Sequence, residues 1–219
     1  MNNPHKGQPV ATRGKPIDES RGVVVMMHGR ERDTEDILGV AERIGEEESF
    51  AYVAPAAKDN SWYPYSFMEP IEKNEPYLTH ALEVVDDVVN ELVGKGIPKE
   101  RIVLAGFSQG ACLAAEYAVR HAARYGGILL FTGGLIGPPG TVWEYARSFD
   151  GTPVFLGTSD VDEFVPVERV HESTEVFEAM GAEVELRVYP GMDHIVNDDE
   201  VAVARQILQK IVSQEAEVG

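Results

Sequence analysis

The chain has 219 residues, 43% of them hydrophobic, and carries 37 acidic against 19 basic side chains, a formal charge of −18 at pH 7. This composition is typical of a soluble globular domain, and the negative charge disfavours nucleic acid or an anionic membrane as a partner. The single cysteine, Cys112, excludes an internal disulfide and any cysteine-based metal cluster. The chain shows no apolar stretch of signal-peptide length and no run of about 20 apolar residues, so we expect a cytoplasmic protein without a membrane span.

The N-terminal segment is polar and has no repeating apolar face. We therefore expect residues 1–21 to form an arm or an edge element, and residues 22–219 to form the single domain. The continuous apolar run from Val23 to Met27 predicts a strand that is buried on both faces. The next predicted elements are a helix from Asp33 or Thr34 to Gly45 and a strand over Phe50–Ala54.

Residues 55–76 contain four prolines and a concentration of Trp and Tyr, which predicts a long loop. Its aromatic residues are candidates for the wall of an apolar substrate pocket, because small-molecule pockets are mostly apolar and aromatic. The alternative is that they pack the loop onto the domain. The predicted substrate-binding residues are Trp62, Tyr63 and Phe67, with Tyr65 beside them.

Apolar residues at helical spacing predict a helix that starts at Pro76 and ends at Gly94. Short apolar strands and helices then alternate. This alternation predicts an α/β fold with a doubly wound, mostly parallel sheet whose ligands bind at the carboxyl ends of the strands. The predicted strands are Arg101–Ala105, Gly127–Phe131, Pro153–Leu156 and Glu183–Tyr189, and the predicted helices are Ala111–Ala118, Val167–Met180 and Glu200–Val212.

The strand RIVLA leads directly into Gly106-Phe107-Ser108-Gln109-Gly110 and then into a helix. A serine in so tight a turn takes strained backbone angles that favour flanking glycines, and its Oγ projects above the sheet. The start of the helix adds free N–H groups and a positive dipole end, which favour negative charge on a substrate oxygen. Ser108 is therefore the predicted nucleophile, and the alternative is a glycine-rich turn with a serine helix cap.

A serine nucleophile needs a base that takes its proton and later protonates the leaving group, and histidine is the usual choice. Of the six histidines, His194 follows the last predicted strand in a loop at the carboxyl edge of the sheet. His194 is therefore the predicted base, and the alternative is a surface-loop histidine. The others lie in the arm, in predicted helices or at the end of the first strand: His5, His80, His121, His171 and His28.

The carboxylate that orients the histidine is expected between the serine and the histidine in chain order. The loop after the strand Pro153–Leu156 carries two aspartates within reach. We predict Asp162 as the orienting group, with Asp160 as the alternative, and we expect the other aspartate to cap the loop or to hydrate the surface. Glu163 is the third candidate.

An acyl-transfer site also needs N–H donors for the oxyanion, one from the residue after the nucleophile and one from the loop after an early strand. Gln109 follows the nucleophile, and Gly29 lets the backbone before Arg30 approach a substrate, so Gln109 and Arg30 are the predicted donors. The alternative is that Gly29 only turns the chain.

Cys112 is predicted to be a core residue. No metal is expected, because the stretch HESTE lacks the second histidine of a zinc motif.

Several of these pieces form a known combination: RIVLAGFSQGA, an upstream HG, the D-x-x-V-P from Asp162 to Pro166 and the G-x-x-H from Gly191 to His194. The chain resembles the phospholipase/carboxylesterase family of α/β-hydrolases, which includes acyl-protein thioesterases, over about residues 22–212. The segment WYPYSF is similar to a substrate-side loop of bacterial members. Unlike many members, the chain has Leu156 instead of a histidine before the acidic loop, and that loop is longer.

The resemblance implies a single-domain α/β-hydrolase without a cofactor. It also implies Ser108, Asp162 and His194 as a catalytic triad, and Arg30 and Gln109 as the oxyanion hole. We expect a serine carboxylesterase that acts on small to medium carboxylic esters. The alternatives are an acyl-thioesterase or lysophospholipase and, from a different class, a non-catalytic receptor for small ligands. The expected partner is a small-molecule ester, and a homodimer is compatible with the sequence.

Overall fold

The computed structural model describes residues 3–218 and the side chains of residues 3–213. Within this range, one seven-stranded sheet has the order β1-β3-β2-β4-β5-β6-β7, with β1 antiparallel to β3 and the other pairs parallel. The doubly wound α/β fold expected from the sequence is therefore confirmed. The strands are β1 (Val10–Gly14), β2 (Gly22–Met27), β3 (Phe50–Pro55), β4 (Ile102–Phe107), β5 (Gly127–Phe131), β6 (Pro153–Ser159) and β7 (Glu183–Tyr189).

Helices cover both faces of the sheet and bury a separate apolar layer on each side. The first and last helices pack on one face, and the three other long helices pack on the opposite face. Every residue of β2, β3 and β4 is buried, which explains why these strands read as continuous apolar runs. The helices are α1 (Thr34–Ile44), α2 (Ile71–Asn74), α3 (Tyr77–Gly94), α4 (Gln109–Arg120), α5 (Val167–Ala179) and α6 (Asp198–Val218).

The segment before residue 22 contributes to the sheet. Its strand β1 pairs with β3 along its whole length, from Val10 opposite Pro55 to Gly14 opposite Ala51. The side chains of β1 are exposed or half-buried in alternation, as expected at a sheet edge. Residues 1–21 were expected to form an arm or an edge element. Residues 10–14 of this segment form an edge strand. An edge strand buries little apolar surface, so its sequence can be polar. The pattern of apolar residues therefore did not predict this strand.

Two strands continue for two or three residues beyond their predicted ends, and both additions lie at the carboxyl edge of the sheet. Strand β4 continues to Phe107, which pairs with Phe131, and β6 continues to Ser159, which pairs with Tyr189. The prediction ended these strands too early because Gly, Thr and Ser resemble loop residues in a single sequence. The additional pairing places Ser108 and Asp160 directly at strand ends.

Among the helices of residues 3–218, none has the length and apolar character that a membrane span requires.

Candidate active site

Ser108 occupies the turn between β4 and α4 with φ 54° and ψ −119°, a combination that residues other than glycine rarely adopt. A Cβ at Gly106 would overlap the backbone of Gly110, and a Cβ at Gly110 would overlap the carbonyl of Met27. Glycine at both positions therefore allows α4 to start directly above the sheet. The N–H of Ser108 donates to the carbonyl of Phe131 at 3.0 Å, which fixes the turn to β5.

His194 contacts the predicted nucleophile and the predicted carboxylate at the same time. Its Nε2 lies 2.8 Å from Ser108 Oγ, and its Nδ1 lies 2.6 Å from Asp162 Oδ2. The imidazole ring packs between Phe107 and Phe164, with ring centroids 4.9 and 5.0 Å away. The side chain of Asp162 is fully buried, whereas that of His194 is 21% exposed. The structure thus brings the three residues together in a hydrogen-bonded series that ends at the serine hydroxyl.

The two candidate aspartates have different contacts. Oδ1 of Asp162 accepts two backbone N–H groups of its own loop, both at 2.9 Å, and Oδ2 contacts His194. Oδ1 of Asp160 instead accepts the N–H of Gly191 at 2.7 Å. Asp160 therefore ties its loop to the turn that precedes His194, whereas Asp162 holds the imidazole itself.

The loop that carries His194 is closed at its far end by a capping box at the start of α6. Glu200 Oε2 accepts the N–H of Asn197 at 2.8 Å, and Asn197 Oδ1 accepts the N–H of Glu200 at 2.9 Å. Arg43 of α1 donates to the carbonyl of Val196 at 2.8 Å. Glu200 is fully buried, and its Oε1 has no hydrogen-bond partner among the described residues. Burial raises the pKa of Glu200 to about 7.

Glu200→Gln is expected to remove a pH-dependent loss of stability. A carboxyl with a pKa of about 7 when folded and about 4.3 when unfolded binds its proton more tightly in the folded chain. Its stabilising contribution is complete below pH 4.3 and is lost as the pH rises towards 7, by on the order of 3 kcal/mol. The measurement is the free energy of unfolding in urea from pH 4.5 to 8, for the wild type and the variant.

The expected result is that Glu200→Gln gains stability over the wild type as the pH rises through this range. Glu35→Gln is the control, because Glu35 is exposed in the first turn of α1. A difference between the wild type and Glu200→Gln that stays constant across the range would show that the buried carboxyl does not titrate in it.

The two predicted oxyanion donors border the cavity beside Ser108. Gln109 is the first residue of α4, a position at which the backbone N–H has no acceptor within the helix. Arg30 follows Gly29 in the loop after β2. Both residues line the cavity together with Ser108. Arg30 and Gln109 therefore border the same cavity as the Ser108 hydroxyl, as a pair of oxyanion donors would.

The cavity beside Ser108 has a volume of about 620 Å³, and the long loop between β3 and α3 forms much of its wall. Tyr63 and Phe67 line it, as predicted, and the partly exposed Tyr65 lines it too. On the other side the wall continues to the rings that hold His194. Five Phe and Tyr residues thus line the cavity around the Ser108 hydroxyl, which suits an apolar organic group, and the charged Arg30, Glu31 and Arg32 line its remaining side.

The prediction that Trp62 lines the pocket is wrong. Trp62 is fully buried and is not among the residues around the cavity. Its indole N–H donates to the carbonyl of His28 at 3.0 Å, and its ring stacks on the His28 ring at 5.0 Å. An indole N–H needs an acceptor when it is buried, and it finds one behind the pocket wall rather than in it.

Two buried histidines support the same loop, and the sequence did not reveal them. His28 Nε2 accepts the N–H of Ala57, and His5 Nδ1 accepts the N–H of Lys58, both at 3.0 Å. His5 Nε2 lies 3.0 Å from the carbonyl of Trp62, to which it donates. Burial lowers the pKa of both histidines. Their partners in this loop are at least 29 residues away in the chain, so local sequence patterns carry no signal of these contacts.

The arrangement around Ser108 is suited to acyl transfer. A histidine in contact with a buried carboxylate can take the proton from a serine hydroxyl, and backbone N–H groups beside that hydroxyl can stabilise an oxyanion. Cys112, one turn further along α4, is buried in the core as predicted, and burial raises the pKa of its thiol to about 12. The serine hydroxyl is thus better prepared for nucleophilic attack than the thiol.

Solved structures share this fold. A crystal structure of a phospholipase/carboxylesterase from Dyadobacter fermentans matches with a TM-score of 0.88 and 44% sequence identity, covering 93% of this chain and 97% of that one. The carboxylesterase of Bacillus cereus matches with a TM-score of 0.71 and 18% identity, covering 96% and 100% of the two chains. At the lower identity, the likeness shows the fold alone.

Sequence comparison extends to curated relatives in fungi. Acyl-protein thioesterase 1 of Saccharomyces cerevisiae is 30% identical over 138 residues, 61% of this chain and 60% of the relative. The enzyme of the same name from Eremothecium gossypii is 35% identical over 124 residues, 53% of this chain and 50% of the relative. The chain therefore spans about half to three fifths of the length of these relatives. The sequence model of the phospholipase/carboxylesterase family matches residues 13–212, and the chain belongs to that family.

Proposed function

We propose that the protein is a serine carboxylesterase that cleaves small to medium carboxylic esters through an acyl-enzyme. The observation that carries the proposal is the hydrogen-bonded series from Ser108 Oγ through His194 to Asp162, with the hydroxyl at the wall of a cavity. The cavity volume of about 620 Å³ is in the range of small-molecule sites. Family membership and the phospholipase/carboxylesterase from Dyadobacter fermentans support the same reaction class.

In the proposed mechanism, His194 Nε2 takes the proton of Ser108 as Oγ attacks the ester carbonyl carbon. The carbonyl oxygen becomes an oxyanion, and the backbone N–H groups of Arg30 and Gln109 stabilise its charge. The bond to the alcohol oxygen then breaks, and His194 returns the proton to that oxygen. Water attacks the acyl-enzyme with His194 again acting as the base, which releases the acid and restores the serine hydroxyl. Asp162 holds the imidazole tautomer throughout.

Hydrolysis of acyl thioesters is the second candidate. The curated fungal relatives are named acyl-protein thioesterases. Exposed apolar side chains also lie near the candidate site, and one of them, Phe164, lines the cavity. Val161, Phe164 and Ile195 are 60%, 65% and 51% exposed, and each lies within two residues of Asp162 or His194. Exposed apolar side chains beside a site favour a substrate whose acyl chain extends out of the cavity and packs on them. An acyl chain attached to a bulky carrier is such a substrate.

A panel of p-nitrophenyl esters and matched acyl thioesters, from acetyl to dodecanoyl, tests the proposal. We expect kcat/KM for the butanoate ester to exceed that for the dodecanoyl thioester by about tenfold or more, because the aromatic wall limits chain length. The opposite order would favour the thioesterase candidate. Binding of esters without any turnover would favour the non-catalytic receptor. The cytoplasmic location and a homodimer stay predictions.

A further inference from the structure

The segment Trp62–Tyr65, whose last three residues line the cavity, is held in place by side chains of other parts of the chain. We call this stretch the wall segment. The amide of Gln109 bonds to the first half of this segment. Its Oε1 accepts the N–H of Trp62 at 2.9 Å, and its Nε2 donates to the carbonyl of Tyr63 at 2.8 Å. Gln109 is only 6% exposed, so water does not compete effectively for these bonds. One buried amide thus fixes Tyr63, which lines the cavity, and Trp62, which lies behind it.

The guanidinium of Arg30 bonds to the second half of the same segment. Nη1 donates to the carbonyl of Pro64 and Nη2 to the carbonyl of Tyr65, both at 2.7 Å. The guanidinium carbon also lies 6.0 Å from the centroid of the Tyr63 ring. A planar guanidinium fixes two acceptors at once, because its donors point in set directions. Arg30 therefore holds Pro64 and Tyr65, and Gln109 holds Trp62 and Tyr63.

The two side chains that hold the wall belong to the two residues whose backbone N–H groups are the proposed oxyanion donors. The four consecutive residues of the wall segment are thus bound by two residues that lie 79 positions apart in the chain. Tyr63, Pro64 and Tyr65 all line the cavity. A displacement of the wall is therefore transmitted to the residues that carry the donors, and a displacement of those residues reaches the wall.

We propose that the side chains of Arg30 and Gln109 are positioning residues that couple the wall of the cavity to the oxyanion hole. The inference rests on the proposed esterase function. It makes acyl-chain selectivity and turnover depend in common on these four hydrogen bonds, which act beside the bonds of His5, Ser61 and Asn74 to the same segment. An acyl group that fits the wall leaves both N–H donors in place, whereas one that displaces the wall also displaces the donors.

Arg30→Met tests the proposal, because it removes both guanidinium bonds and keeps the backbone N–H and most of the apolar stem. We expect kcat for p-nitrophenyl butanoate to fall about tenfold, since donors displaced by a fraction of an ångström stabilise the oxyanion less well. We also expect the ratio of kcat/KM for octanoate to that for butanoate to rise about fivefold, because a released wall admits longer chains.

Arg32→Met is the matched control, because it removes an arginine from the same loop and cavity without touching the wall segment. The Arg32 guanidinium bonds to Asp36 at 3.0 Å instead. This variant is expected to keep the wild-type octanoate-to-butanoate ratio. A ratio that changes equally in both variants would show that loss of positive charge is responsible and would overturn the proposal. So would a wild-type ratio in a folded Arg30→Met protein.

Gln109→Met and the double variant complete the test. If the four bonds act as one unit, the double variant loses little more kcat than the more impaired single variant. Losses that multiply would show that the two residues act independently, and would overturn the coupling. These outcomes are separate from failure of the esterase function itself, in which the wild type would hydrolyse neither ester.

Discussion

Ser108→Ala is expected to lower kcat for p-nitrophenyl butanoate by about 10⁴-fold or more, the largest effect of any substitution considered. The loss follows because alanine removes the atom that forms the acyl-enzyme, and His194 then has no hydroxyl to deprotonate. The fold should persist, because the Ser108 N–H that bonds to Phe131 is unaffected by the substitution. Initial rates and a thermal unfolding curve of both proteins measure the two parts of this expectation.

Alanine at position 108 has to adopt the same positive φ as the serine. The control for Ser108→Ala should therefore be another Ser→Ala substitution that leaves this turn unchanged. Ser213→Ala is a suitable control, because Ser213 is exposed on α6, its hydroxyl bonds to the carbonyl of Gln209, and it does not line the cavity. Its kcat is expected to stay far above that of Ser108→Ala. A Ser108→Ala protein with wild-type kcat would rule out Ser108 as the nucleophile.

Asp162→Asn is expected to cause the second largest loss, about 10³- to 10⁴-fold in kcat. The amide has nearly the same shape as the carboxylate, but it no longer carries the charge that stabilises the protonated imidazole. It can also present an N–H to His194 Nδ1 and so favour the wrong tautomer. The measurement is kcat for the same ester across the pH range in which the fold is stable.

Asp160→Asn is the matched control for the carboxylate. The asparagine retains an oxygen that can accept the N–H of Gly191, so the loop keeps its contact with the turn before His194. The loss in kcat should stay within about tenfold, the size of one weakened hydrogen bond. A larger loss for Asp160→Asn than for Asp162→Asn would reverse the roles given to the two aspartates.

Much of the sheet and of the series around Ser108 could be predicted from local sequence patterns. Strands such as β2 and β5 are buried on both faces, so they appear as uninterrupted apolar runs. The turn at Ser108 has a local signature because its geometry requires small residues at fixed positions. The serine, the carboxylate and the histidine could be expected to meet because the strands before them, β4, β6 and β7, end at one edge of a parallel sheet.

The supports of the site could not be predicted in the same way, because they depend on contacts between distant segments. The bonds of Arg30 and Gln109 to the wall join residues 34 to 47 positions apart, and nothing near either residue marks them. The placement of Trp62 was predicted wrongly for a related reason. An aromatic residue in a loop has the same sequence appearance whether its ring faces a cavity or a buried histidine.

The distinction between Asp160 and Asp162 also required three-dimensional geometry. Both aspartates follow the same strand with one residue between them, so an extended loop would direct both the same way. In the folded chain the loop turns after β6, and Asp162 accepts two N–H groups of that turn. Backbone hydrogen bonds, rather than residue type, therefore decide which carboxylate reaches His194.

The intact mass of the protein after exposure to a fluorophosphonate tests the central claim most directly, because this reagent reports an activated serine without any choice of substrate. The wild type is expected to gain the mass of one phosphonyl group, and Ser108→Ala none. A well-folded wild type that gains no mass, or a Ser108→Ala protein that gains the same mass, would contradict the assignment of Ser108 as the nucleophile of a serine hydrolase.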